Sequence, residues 1–171
     1  MNIQVKPISQ HRAVLTLGQQ QYPAAIGKQG VTSSKREGDN KSPVGKFALR
    51  PGYFRPDKVD APNSTLPFTP LQASDGWCDD AAHADYNKPV QLPFSASHEL
   101  LWRKDDVYDV IIPLGYNDNP PRPGFGSAIF MHVARPDYSG TEGCVALALP
   151  DLLHLIEQVD IYTTVEILTA E

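Results

Sequence analysis

The sequence predicts a mainly β domain of the α+β class, a β-sandwich or mixed sheet carrying two short helices. Three observations predict it. Apolar residues alternate with polar ones in short runs at both ends of the chain. Sixteen prolines among 171 residues break up long helices. Only two segments, 95–104 and 150–159, carry an apolar side at helical spacing.

Taken in order, "NIQVK", "AVLTL" and "QYPAAIG" read as strands divided by the turn-prone "ISQHR" and "GQQ". A long polar loop, "KQGVTSSKREGDNKSPVG", follows. Within it "KREGDNK" mixes both charge signs and reads as a solvated loop. Pro43 holds Ser42 extended, and Gly45 permits the turn into a further strand, "KFALRPGYF". Residues 55–93 hold six prolines and no periodicity, yet Phe68, Trp77 and Tyr86 give them something to pack. They read as an ordered, proline-rich insertion folded over a site. In "SASHELLWRK" Ser95 or Ser97 can cap a short helix whose apolar side is Leu100 and Leu101. "VYDVIIPLGYN" and "GSAIFMHVA" are the strongest strands, joined by the proline-stiffened "DNPPRPGFG". In "PDLLHLIEQV" Pro150 suits a first helical turn, and Leu152, Leu153, Leu155 and Ile156 form the apolar side. "IYTTVEIL" closes the chain as a strand. No repeat is visible, and residues 1–171 are expected to form a single domain.

The totals exclude several functions. A formal charge of −5 with no basic run gives nothing to neutralise phosphates, so no nucleic-acid partner is expected. No stretch of about 18 apolar residues is present, so no membrane span is expected. The N-terminus alternates instead of carrying an apolar core after a basic start, which is not the pattern of a signal peptide. Two cysteines, Cys78 and Cys144, allow at most one bridge, and neither zinc-type spacing nor a Cys-x-x-Cys pair occurs. Asp79, Asp80 and Asp85 beside His83 suit ordinary turns, so no metal is expected.

Cys144 and His132 are the candidates for a thiol nucleophile and its base. Gly143 lets the backbone turn sharply, so that the amides of residues 143 and 144 can face an oxyanion. His132 ends an apolar strand, and a thiol beside an imidazole has its pKa lowered and its nucleophilicity made available. The plain alternative is a buried packing cysteine beside a bystander histidine.

Further pattern decides between them. "MHVARPDYSGTEGCVAL" resembles the signature of the L,D-transpeptidase catalytic domain (the YkuD-like family), a histidine followed after a loop by Ser/Thr-x-Gly-Cys-Val/Ile. His132, Thr141, Gly143 and Cys144 occupy the matching positions, with Val145 and Leu147 apolar behind the cysteine. "KSPVGKF" resembles the family's Thr/Ser-Pro-x-Gly-x-Phe segment. The departures define a divergent branch, with "TEGCVAL" where "SHGCIRL"-type motifs are common. Ala146 stands where many relatives have arginine, Val133 where glycine is common, and Glu142 where histidine is frequent.

The resemblance implies a cysteine acyltransferase of peptidoglycan. Cys144 would attack the amide joining the L-centre of diaminopimelate to D-alanine in a tetrapeptide stem, forming a thioester that an amine resolves. His132 would be the base, oriented by a backbone carbonyl. The amides of Gly143 and Cys144, with the Thr141 hydroxyl, would hold the oxyanion, and no cofactor is required. With Ala146 in place of arginine, Arg135 is the first candidate for the stem's carboxylates and Arg122 the second. Tyr116, Asn117, Tyr86 and Trp77 are candidate substrate contacts. Two alternatives stay open: an L,D-carboxypeptidase or amidase-type cysteine hydrolase, and a non-catalytic cell-wall-binding module. The implied partners are peptidoglycan stem peptides or muropeptides, with the protein a monomer. The implied location is the periplasm or cell envelope, while the N-terminal pattern leaves a cytoplasmic one open.

Overall fold

The structure, a computed structural model, describes residues 1–170. Alternation at the N-terminus builds a meander of β1 (Asn2–Pro7), β2 (Arg12–Leu17) and β3 (Gln20–Ala25), each antiparallel to the next. Gly18, at φ +60°, supplies the left-handed first position of the two-residue turn between β2 and β3.

The loop after β3 carries β4 (Val31–Thr32) and β5 (Ser42–Pro43), a short parallel pair. "KFALRPGYF" does not form one strand. Pro51 divides it into β6 (Gly45–Ala48) and β7 (Gly52–Phe54), which pair with different strands, β6 with the C-terminal strand Thr164–Ile167 and β7 with the strand Val110–Pro113. The 55–93 stretch contributes β8 (Phe68–Pro70), β9 (Asp75–Cys78) and β10 (Pro89–Gln91). Its Trp77 and Tyr86 are buried.

The helix expected over 95–104 does not form. Residues His98–Leu100 are instead strand β11, paired antiparallel with β9 so that Glu99 faces Trp77. A helix this short is marginal by itself, and the free edge of β9 supplies hydrogen bonds that override the local preference. The remaining strands are β12 (Val110–Pro113), β13 (Phe130–Val133), β14 (Val145–Leu147) and β15 (Thr164–Ile167). The second expected helix is present as α1 (Leu149–Ile156), with Pro150 in its first turn and Leu152, Leu155 and Ile156 buried. The fold is thus a mixed α+β domain, mostly sheet, with one short helix.

Ten strands form one mixed sheet in the order β6-β15-β1-β2-β3-β14-β13-β12-β7-β8, while β10-β9-β11 form a second, smaller sheet. The period of two divides the central strands between two cores. Val110, Ile112, Met131, Val133, Val145 and Leu147 join α1 and the N-terminal meander in the main core. Ile111, Phe130 and Cys144 point the other way, into a cluster with Trp77, Leu101 and Tyr108.

One crossing fixes the region where the chemistry-bearing segments meet. The end of β3 runs beside the loop before β14: Thr141 N donates to Ile26 O at 2.9 Å, and Lys28 N to Thr141 O at 2.8 Å. Loop 40–42 lies directly over Gly27, so a Cβ there would stand 2.5 Å from Asn40 O and 2.8 Å from Ser42 N. Because both neighbours are backbone, neither yields easily. Gly27→Ala is expected to lower stability by about 2 kcal/mol or more through overpacking, read as a fall in the urea unfolding midpoint with unchanged slope.

Candidate active site

Parallel pairing of β13 with β14 places His132 opposite Ala146. Cys144, two residues before Ala146, therefore projects from the same face as His132 and as its neighbour Phe130. Both open onto a cleft of about 790 Å³, which Thr141, Glu142 and Ala146 also line. Cys144 and His132 are each only 7% exposed.

The turn that presents Cys144 is held from both sides. Thr141 Oγ1 accepts from Gly143 N at 3.1 Å and donates to Cys144 O at 2.7 Å. Ser42 Oγ accepts from Gly27 N at 3.0 Å and lies 3.5 Å from Cys144 O. The "KSPVGKF" segment thus buttresses the cysteine turn, although it is a hundred residues away in sequence. Gly143 sits at φ +140°, and a Cβ there would lie 2.8 Å from Lys41 O, so only glycine fits. The Gly143 amide is already taken by Thr141. Among the described residues the Cys144 amide donates to nothing, which leaves it as the backbone donor free to meet an oxyanion.

The histidine's tautomer follows from its partner. Its Nδ1 lies 2.9 Å from Val133 O. A carbonyl only accepts, so Nδ1 holds the proton and Nε2 keeps its lone pair. Burial pushes the His132 pKa down to about 4. The thiol has separate partners: Sγ donates to Ala128 O at 3.2 Å and accepts from Phe130 N at 3.3 Å. Burial first, and then the nearby Glu99 carboxylate, push the thiol up to about 12. Spacing alone leads to the expectation of a thiol acidified by its histidine. In the resting fold the pair is instead a protonated thiol and a neutral imidazole, because desolvation penalises both charged forms.

Ala128 is a non-glycine residue at φ +52°, a conformation that costs free energy and has to be enforced. Asn87 enforces it. Its Oδ1 accepts from Ala128 N at 2.9 Å and from Trp77 Nε1 at 3.0 Å, while its Nδ2 donates to the carbonyls of Tyr116 and Asn117.

That network explains where the expected substrate contacts lie. Trp77, Tyr86, Tyr116 and Asn117 are absent from the cleft lining and stand in the wall behind it. Tyr86 OH bonds Glu37 and accepts from Gly126 N at 3.0 Å, Tyr116 OH bonds Phe125 O, and Asn117 closes the turn to Arg122. Arg122 stacks on Phe125 with 4.2 Å to the ring centre, also outside the lining. Arg135 does line the cleft. Beside it are residues that sequence reasoning missed. Asp105 holds Arg103 through two contacts of 2.7 Å and lies 3.5 Å from Arg135, so two guanidinium groups share one carboxylate at the cleft. Tyr108 OH donates to Glu99 Oε2 at 2.8 Å, and its ring meets His132 edge-on at 5.4 Å. Lys35, read from sequence as solvated, is 5% exposed. No local signal marks these residues: only Glu99 lies in a strand, and the loops carrying the others face the cleft only once the chain has folded. The 79–85 acidic stretch makes turns, with Asp80 capping Ala82 N and Asp79 accepting from Ser97. Among the described residues no group of three His, Cys, Asp or Glu side chains stands where it could hold a metal ion.

Residues 3–167 match the family profile described as L,D-transpeptidase catalytic domain, YkuD. A crystal structure of Mycobacterium tuberculosis L,D-transpeptidase 1 aligns with 98% of this chain at 12% identity and a TM-score of 0.43, and the chain spans 59% of that protein's chain. No curated protein matches the chain.

The buried charges set a pH dependence. Burial raises the Glu99 carboxyl from 4.5 to about 7. The folded protein then binds more protons than the unfolded chain between these values, so this group's contribution to stability falls as pH rises through them. His132, lowered from 6.5 to about 4, acts with the opposite sign and costs stability as pH falls through that window. Glu99→Gln is expected to remove the first component, so that stability measured by urea unfolding climbs more steeply from pH 4.5 to 6.5 than in the unaltered protein.

Proposed function

The chain belongs to the L,D-transpeptidase catalytic domain family, a family of peptidoglycan-modifying enzymes, and on that premise we propose that it is a cysteine acyltransferase acting on peptidoglycan tetrapeptide stems. The observation that carries the reading is the placement of Cys144 and His132 on one face of adjacent strands, open to one cleft. The bond attacked is the amide between the L-centre of diaminopimelate and D-alanine. "TEGCVAL" makes this chain a divergent member, with Ala146 where many relatives carry arginine.

Substrate entry displaces water and brings the carbonyl over the Cys144 turn. Nε2 of His132 takes the thiol proton as Sγ adds to the carbonyl carbon, and the Cys144 amide receives the oxyanion. Thr141 keeps the turn in shape through its two hydrogen bonds. Collapse breaks the C–N bond, and the imidazolium returns its proton to the departing D-alanine amine. The remaining thioester passes its acyl group to an amine of a second stem. Val133 O holds the imidazole in the required tautomer throughout. Arg103 and Arg135, both on the cleft and both leaning on Asp105, receive a stem carboxylate that no arginine at position 146 is present to meet.

The test is mass spectrometry of products from a disaccharide-tetrapeptide. Release of D-alanine with cross-linked dimers is expected, falling by about 10⁴-fold or more in Cys144→Ala. Tripeptide without dimers would replace transfer by hydrolysis, an L,D-carboxypeptidase with the same thioester. Unchanged turnover in Cys144→Ala would remove the thiol from the mechanism. In Arg103→Gln and Arg135→Gln, KM is expected to rise about tenfold each, as for loss of a charged hydrogen bond, with kcat affected less.

A further inference from the structure

Formation of a thiolate in this cleft meets an electrostatic difficulty. The imidazole rests neutral. Glu99 and Glu142 both oppose negative charge on Cys144. The exposed Lys28 and Arg135 and the partly exposed Arg103 are screened by water, and the two arginines are shared with Asp105. One cation differs from the rest. Lys35 is the buried lysine of the cleft lining.

Two glycines make room for this side chain. A Cβ on Gly126 would lie 3.1 Å from Lys35 Cγ and 3.2 Å from Cε, so the aliphatic stem passes directly over that backbone. A Cβ on Gly143 would lie 3.5 Å from Lys35 Nζ, which puts the ammonium against the turn that presents Cys144. Its head is held by Asp39 Oδ1 and by Arg36 O at 3.0 Å. Asp39 is in turn fixed by the amides of Arg36 at 2.8 Å and Lys41 at 2.9 Å. An ammonium has three donors, and among the described residues the third has no partner. Burying a lysine is costly unless its charge is used or paired. Asp39 pairs it in part.

We propose that Lys35 supplies the positive charge that stabilises the Cys144 thiolate, and the oxyanion that follows it, in place of a resting imidazolium. The inference rests on Cys144 being the nucleophile. It does not depend on which bond is broken. When the thiol proton moves to Nε2 of His132, the sulfur's new negative charge faces Lys35 Nζ across Gly143, and the ammonium keeps all its own protons. The groups facing Cys144 are Glu99 from β11, Glu142 from its own turn, His132 from β13, Tyr108 and Lys35, and among them Lys35 is the buried group that is already positive before the proton reaches His132.

The test reads the thiol without substrate, so it stands or falls separately from the peptidoglycan assignment. The rate of Cys144 alkylation by iodoacetamide at pH 8 is followed on the Cys144 peptide by mass spectrometry. Lys35→Met is expected to slow it about tenfold, the effect of one unit in thiol pKa, and Lys35→Arg to restore most of the rate. Mere loosening of the packing would speed alkylation by exposing the sulfur, so a rate in Lys35→Met equal to or above the unaltered one overturns the proposal. Should Lys35→Met fail to fold, Asp39→Asn decides. With its thermal midpoint retained, freeing the ammonium from its counter-charge is expected to raise the rate several-fold, and an unchanged rate overturns the assignment.

Discussion

The parallel register of β13 against β14 is the constraint on which the site depends. With Met131 beside Val145 and His132 beside Ala146, alternation sends His132, Phe130 and Cys144 to one face and Met131, Val133, Val145 and Leu147 to the other. A slip of one residue would exchange the two sets, burying the imidazole in the main core and turning branched aliphatics toward the cleft. The register is therefore held by the same hydrophobic burial that stabilises the sheet. The face that carries Cys144 and His132 is a consequence of core packing and needs no separate support beyond the loops that close over it.

Those loops come from distant parts of the chain and converge on one short turn. Ser42 from the segment before β6, the end of β3 at Gly27, and the left-handed Ala128 pinned by Asn87 all meet at Cys144. The result is a sulfur that is buried, hydrogen-bonded and protonated at rest. Desolvation protects it from adventitious chemistry and places the cost of ionisation on the reaction step. A site of this kind has to supply its stabilising charges in fixed positions, because the surrounding medium screens little. The free amide of Cys144 and the buried ammonium of Lys35, which stands against Gly143, are fixed groups of that kind.

Much of this was legible in the sequence, and the reasons for the remainder are physical. That Cys144, His132 and Thr141 come together at one cleft was readable because the motif sets those residue types at close spacing. The strands of the N-terminal meander, β12, β13 and β15, and helix α1, were readable because each carries its own periodicity. The 95–104 segment misled because its apolar pair Leu100 and Leu101 fits a helix turn, whereas pairing with β9 buries Leu101, exposes Leu100 and turns Glu99 into the cleft. Lys35 belongs to a stretch that reads as a solvated charged loop and Glu99 and Arg103 to one that reads as a short helix, and only three-dimensional closure gives them a common address. Trp77 and Tyr86 are expected from sequence as substrate contacts. Their polar atoms are instead spent on Asn87 and Glu37, inside the wall that shapes the cleft.

The most direct measurement is intact-protein mass spectrometry after rapid acid quench of the protein mixed with a tetrapeptide stem. A covalent acyl adduct, formed with loss of D-alanine and mapped to Cys144, is the expected result, and hydroxylamine should remove it as it removes thioesters. Product formation with no adduct on Cys144, or an adduct on Cys78 alone, would contradict a mechanism built on the β13–β14 face.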